Sequence, residues 1–200
     1  MRDASYPVIC LTGAPATGKS TLARNLVMKF GSTKLFAYSE ELRHFIKNKT
    51  EHLLSEDEIR TRSATVVTAA DVAALDEHLI QRVQSERKIA PFLIDSHPVT
   101  KEAYGFRVTG FSVDALQRLS PDLIICLYAS AEVTIERIGA DPMGRPTVTR
   151  FEADMHTQLQ TAVAAQYGVL LGRPVYLLDA SASRESLVDQ VAAKAGLALS

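Results

Sequence analysis

Near its N-terminus the chain reads VICLTGAPATGKSTLARNLV, which places two glycines, a lysine and two hydroxyl residues in a fixed order. Gly13–Ser20 spells G-A-P-A-T-G-K-S and fits the P-loop pattern G-x-x-x-x-G-K-[ST]. Glycines at Gly13 and Gly18 let the backbone curl until successive N–H groups point inward at phosphate oxygens. Ala14, Pro15, Ala16 and Thr17 would form the rim of that cradle, and Thr21 would follow it into a helix whose positive dipole end faces the same anion. Lys19 would reach the β- and γ-phosphates of a nucleoside triphosphate, and the Ser20 hydroxyl would ligate Mg²⁺. The pattern speaks for phosphate and is silent on the base.

Asp95 closes the apolar run in PFLIDSHP. An aspartate at the carboxyl edge of a parallel strand lies in the crevice where ligands of such sheets bind, and there it can hold Mg²⁺ or a metal-bound water. The plainer role for it is a turn or helix cap. His97, two residues on, is as readily structural as catalytic. A transferring phosphoryl group also needs positive charge around its oxygens. Arg145 lies in the Gly/Pro-rich stretch GADPMGRPTVT, Arg150 follows it, and Arg137 ends the helical segment before it. A loop carrying arginines suits a closing lid. Arg43, in YSEELRHF, is placed to meet a second ligand, with Arg60 and Arg107 as further candidates.

The elements that must position these residues alternate in type. Short β-rich apolar runs occur at Val8–Thr12, Leu35–Tyr38, Phe92–Ile94, Leu123–Tyr128 and Val175–Leu178. Between them come segments with helical spacing, beginning with STLARNLVMKF, where Leu22, Leu26 and Phe30 recur every four residues. Ser55 and Glu58 have capping-box spacing, so a helix is expected to start there and to run on through VVTAADVAALDEHLIQRV. SVDALQRL, AEVTIERI, FEADMHTQLQTAVAAQYGVLL and ESLVDQVAAKAGL are the remaining helices, and HPVTKEAYGFRVTG reads as a second loop. Strands alternating with helices predict an α/β three-layer sandwich around a parallel sheet buried on both faces.

Composition narrows the function classes. Two hundred residues suit one domain, and the 46% hydrophobic and 22% charged fractions are those of a globular protein. A net charge of −1 gives no basic field to attract nucleic acid. No run reaches the length of a membrane span or a signal core. Cys10 and Cys126 lie in apolar runs and read as small core residues of a reducing compartment, so a cytoplasmic chain is expected.

LTGAPATGKST, YSEELR, LIDSHPVT and the short arginine loop together resemble the P-loop nucleoside monophosphate kinases, and most closely the archaeal-type adenylate kinases. The similarity extends from about Pro7 to Ala195 and includes Ile94–His97, Tyr104–Gly105 and the segment AAQYGVLLGRPVYLL. It implies a five-stranded parallel core in the order 2-3-1-4-5, an acceptor-binding helical part at about 39–90 and a lid at about 139–150. It also implies transfer of the γ-phosphoryl of Mg·ATP to AMP, and commonly a trimer. On the nucleoside monophosphate kinase reading Lys19, Asp95, Arg145 and Arg150 would be catalytic. Ser39, Glu40, Arg43, Arg60, His97, Tyr104, Arg107 and Arg137 hold the substrate, and Ser20 with Asp95 hold the metal. The chain departs from the family at D-S-H-P-V-T, where many members carry an arginine in the place of Val99, and at Ser39-Glu40-Glu41 after the second strand. Two other readings stay open: a kinase for a hydroxyl acceptor, with Asp95, Glu40 or Glu41 taking the proton, and a nucleotide-binding switch or accessory ATPase.

Overall fold

A computed structural model describes residues 5–50, 67–141 and 146–198. In chain order they form β1 (Val8–Gly13), α1 (Lys19–Lys29), β2 (Lys34–Ala37), α2 (Tyr38–Thr50) and α3 (Ala69–Glu86). There follow β3 (Phe92–Asp95), β4 (Val99–Glu102), β5 (Gly105–Val108), α4 (Val113–Leu119) and β6 (Leu123–Tyr128). The chain closes with α5 (Ala131–Gly139), α6 (Arg150–Leu171), β7 (Val175–Asp179) and α7 (Arg184–Ala195).

Five strands form one sheet in the order β2-β3-β1-β6-β7, with every neighbouring pair parallel. Counting β6 and β7 as the sheet's fourth and fifth strands, this is the expected 2-3-1-4-5 order. Alternate strand residues face opposite sides, so the unbroken apolar runs feed two cores. Ile9, Leu11, Ile125 and Leu127 pack against Leu22 and Leu26 of α1 and Leu187 and Val191 of α7. On the other face Val8, Phe36 and Phe92 meet Ile46 of α2 and Leu75 and Leu79 of α3. Cys10, Ile124 and Cys126 meet Ala164 and Tyr167 of α6 on that same side, with both thiols buried and free. At the amino edge Asp122 accepts from the Val8 N–H at 2.8 Å and pairs with Arg87, which closes that end of the sheet. The carboxyl edge is left for the site.

Three sequence expectations need correcting. The stretch read as a loop at 97–110 contains an antiparallel hairpin, β4 with β5, in register Val99↔Val108 and Glu102↔Gly105. The described helix over this region begins at Ala69, not at Val67 or Thr68. Thr68 accepts from the Asp71 N–H while the Asp71 carboxylate accepts from the Thr68 N–H, a complete capping box that ends helical continuity. The start expected at Ser55 and Glu58 lies outside the described residues. Tyr38 opens α2 rather than ending β2, which brings the helix to the level of Asp95, because Ala37 pairs with Asp95 across β2 and β3.

Candidate active site

β1 delivers the chain to the cradle through Thr12 and Gly13, both buried. A Cβ on Gly13 would come within 2.9 Å of Leu127 Cβ and of the Leu127 carbonyl oxygen, so only glycine lets β1 and β6 approach this closely here. The Ala14 N–H donates to that same carbonyl at 3.3 Å, and Thr17 Oγ1 donates to Ala14 O at 2.7 Å. The loop then turns through two left-handed residues, Ala16 at φ 60° and Gly18 at φ 77°. Gly18 is the N-cap of α1 and supplies no side-chain cap, and no acidic residue lies in the first turn.

A missing cap forgoes about 1 kcal/mol. Burial of Leu22 and Leu26 contributes about 1.5–3 kcal/mol each, so packing holds α1 in place without it. The consequence is a helix N-terminus whose first N–H groups and positive dipole are left for an anion.

Lys19 makes an ion pair with Asp95, their side chains retaining 12% and 5% exposure. Burial pulls the Lys19 ammonium below its ordinary pKa. Asp95 ends β3 directly beside Leu11 of β1, which brings the expected carboxylate to the mouth of the cradle. Ser20 is exposed on the first turn of α1. A hydroxyl and a carboxylate are hard oxygen donors of the kind Mg²⁺ takes, so Ser20 and Asp95 fit that ion.

A cavity of about 230 Å³ opens on the outer side of the cradle, between Ala16–Gly18, Leu22, Leu187 and the turn from Ala180 to Arg184. Arg137 braces it, donating from one guanidinium nitrogen to Ala16 O at 3.3 Å and from the other to Ala180 O at 2.9 Å. Arg137, one of the arginines proposed to hold substrate, lies on the cradle side together with Arg184.

On the opposite flank, α2 carries Ser39, Glu40 and Arg43 on its first turns, half-buried except for the exposed Glu40. The Tyr38 hydroxyl donates to Asp76 of α3 at 2.8 Å, and burial pushes the pKa of both groups upward. Glu41 is engaged by Arg82 at 3.2 Å. His97 is exposed beyond Asp95. Tyr104 is 72% exposed at the hairpin tip, and Arg107 on β5 pairs with Glu102 at 3.1 Å. Arg150 opens α6 and pairs with Glu132 of α5 at 2.8 Å. Arg60 and Arg145 lie outside the described residues. The carboxyl edge thus gathers the cradle, Asp95, His97 and the start of α2, while Arg107 and Arg150 are each tied to a carboxylate of a neighbouring segment.

Three residues that sequence reasoning passed over lie against this edge. Gln160 Nε2 donates to Thr12 Oγ1, and both residues are buried. His156 Nε2 donates to the Val99 carbonyl at 3.1 Å, and burial lowers the His156 pKa. The signal was available: Ala153, His156, Gln160, Ala164 and Tyr167 recur at helical spacing, which marks them as one buried face.

A parallel sheet in this order, with a phosphate loop at its carboxyl edge and a carboxylate on the adjoining strand, has the P-loop kinase fold. The chain belongs to the AAA domain family, matched over residues 12–153. It is similar to the adenylate kinase of Methanothermobacter thermautotrophicus, at 24% identity over 86% of this chain and 89% of that protein. Similarity to the adenylate kinase of Thermococcus onnurineus is 23%, over 81% and 80%. Among solved structures, shikimate kinase from Bacteroides thetaiotaomicron superposes with a TM-score of 0.59 at 16% identity, over 96% of this chain and 99% of that one. A sugar kinase from Janibacter sp. superposes with a TM-score of 0.58 at 14% identity, over 96% of both chains. Among the described residues no helix is long and apolar enough to cross a membrane.

Proposed function

We propose that the chain transfers the γ-phosphoryl group of Mg·ATP to a nucleoside monophosphate, with AMP the first candidate. The observation that carries the reading is the Lys19–Asp95 contact at the mouth of an uncapped, glycine-turned helix N-terminus. A bound triphosphate would compete with Asp95 for Lys19, releasing the ammonium to follow the charge of the moving group and the carboxylate to face Mg²⁺. Ser20 and Asp95 would hold that ion, which neutralises phosphate charge when bound. The Arg137-braced cavity has room for part of the nucleoside of ATP.

In this reaction the bond from the γ-phosphorus to its bridging oxygen breaks, and a bond to an acceptor phosphate oxygen forms, giving two nucleoside diphosphates. The acceptor is already an oxyanion, so the protein supplies alignment and positive charge and no general base. Arg43, on α2 directly after β2, is the residue proposed to hold it. The choice of AMP is supported by the similarity to archaeal adenylate kinases over most of the chain.

A hydroxyl acceptor is the second reading. It is favoured by the buried position of Asp95, which could take a proton, and by the fold neighbours named as sugar and shikimate kinases. A panel of AMP, CMP, UMP, GMP, dAMP and the matching nucleosides, with Mg·ATP and a no-acceptor control, separates the two. AMP-dependent ADP formation, with Arg43→Ala raising the KM for AMP more than that for ATP, supports the first. Turnover confined to unphosphorylated acceptors overturns it. ATP consumption that ignores every acceptor moves the chain to the ATPase class.

A further inference from the structure

Two buried polar contacts lie one turn apart on α6. His156, 6% exposed, holds the carbonyl of Val99, and Gln160, 1% exposed, holds the hydroxyl of Thr12. Residues four apart share a helix face, so this one face is anchored to two separate walls. Val99 opens β4, four positions beyond Asp95, and Thr12 immediately precedes Gly13. One wall leads to the carboxylate and the other to the phosphate cradle.

The neighbouring seam of α6 is apolar, with Ala164 and Tyr167 packed on Cys10, Ile124 and Cys126. A residue chosen for burial alone would be apolar at position 160 as well. The amide instead leaves its Oε1 without a hydrogen-bond partner among the described residues, which is unfavourable for folding and calls for a compensating role.

The geometry points to Gln160, acting through Thr12, as a positioning residue that sets the root of the P-loop relative to the Asp95 wall. The inference rests on the phosphotransfer reading. Backbone N–H groups go on binding the phosphates of ATP after a small shift of the loop, whereas transfer does not tolerate it, a misplacement of about 1 Å costing about 10²-fold in rate. Breaking the contact should therefore reduce kcat and spare the KM for ATP.

The test compares the full-length wild type with Thr12→Val, Gln160→Leu, the double variant and Thr12→Ser. Transfer is read from Mg·ATP to whichever acceptor of the panel the wild type uses, alongside thermal denaturation. Each of the first two variants should lose about tenfold in kcat while the KM for ATP stays within about threefold. Thr12→Ser should keep wild-type kcat, and the double variant should be no slower than the slower single variant. If Gln160→Leu does not fold, the near-isosteric Thr12→Val decides. An unchanged kcat in Thr12→Val, a KM for ATP that rises as kcat falls, or losses that multiply in the double variant would overturn the inference. A wild type that turns over no acceptor sinks the phosphotransfer reading and this inference with it. An active wild type with unaffected variants sinks this inference alone.

Discussion

Lys19 and Asp95 are opposite charges almost wholly withdrawn from water, so removing one has two effects that must be told apart. Lys19→Ala deletes the cation proposed to track the transferring group, and turnover should fall by at least about 100-fold. It also strands a buried carboxylate, and breaking a buried pair in this way destabilises proteins by about 3–5 kcal/mol. The double variant Lys19→Met with Asp95→Asn restores neutrality without restoring the cation. Its melting temperature should recover toward wild type while transfer stays lost. A double variant that transfers at the wild-type rate would refute the role given to Lys19, and one as unstable as Lys19→Ala would refute the account of the pair.

Thr68 and Asp71 show how a local contact decides where an element begins. Replacing Thr68 with alanine removes one acceptor from the capping box of α3 and should destabilise the chain by about 1 kcal/mol, within a range of about 0.5–2 kcal/mol. Chemical denaturation measures it, and an unchanged midpoint would show that packing of Leu75 and Leu79 alone fixes the helix start. The P-loop and the five sheet strands were legible in the sequence, because the glycine spacing and the two-sided apolar runs are local signals, whereas the strand order came from the resemblance to the P-loop kinases. The hairpin was not: Val99–Glu102 and Gly105–Val108 are four residues each, flanked by proline and glycine, and among the described residues they pair only with one another. The Thr12–Gln160 contact spans 148 positions, and a glutamine in a long helix carries no mark of burial beyond its spacing. The contact of Arg137 with the cradle depends on where the turn at Ala180 comes to rest, which no local pattern encodes.

For the molecule as a whole, pH enters through His156, which joins α6 to the hairpin across the top of the sheet. Burial depresses its pKa below the ordinary 6.5, so the unfolded chain takes up the proton first as pH falls. The stability it contributes is complete above about pH 6.5 and is lost as pH falls through the folded value. Between about pH 7.5 and about pH 5.5 the wild type should therefore lose more melting temperature than His156→Phe, whose side chain does not titrate. Parallel curves for the two proteins would contradict the burial of a neutral imidazole at this position. In the proposed reaction two nucleotides meet at the carboxyl edge of the sheet. The most direct test is to supply ADP and Mg²⁺ alone and measure the products. The proposed reaction should yield ATP and AMP in equal amounts and should be abolished in the Lys19→Met/Asp95→Asn variant. Absence of both products from wild-type protein that binds ADP would contradict it, and the acceptor would then have to be sought among unphosphorylated compounds.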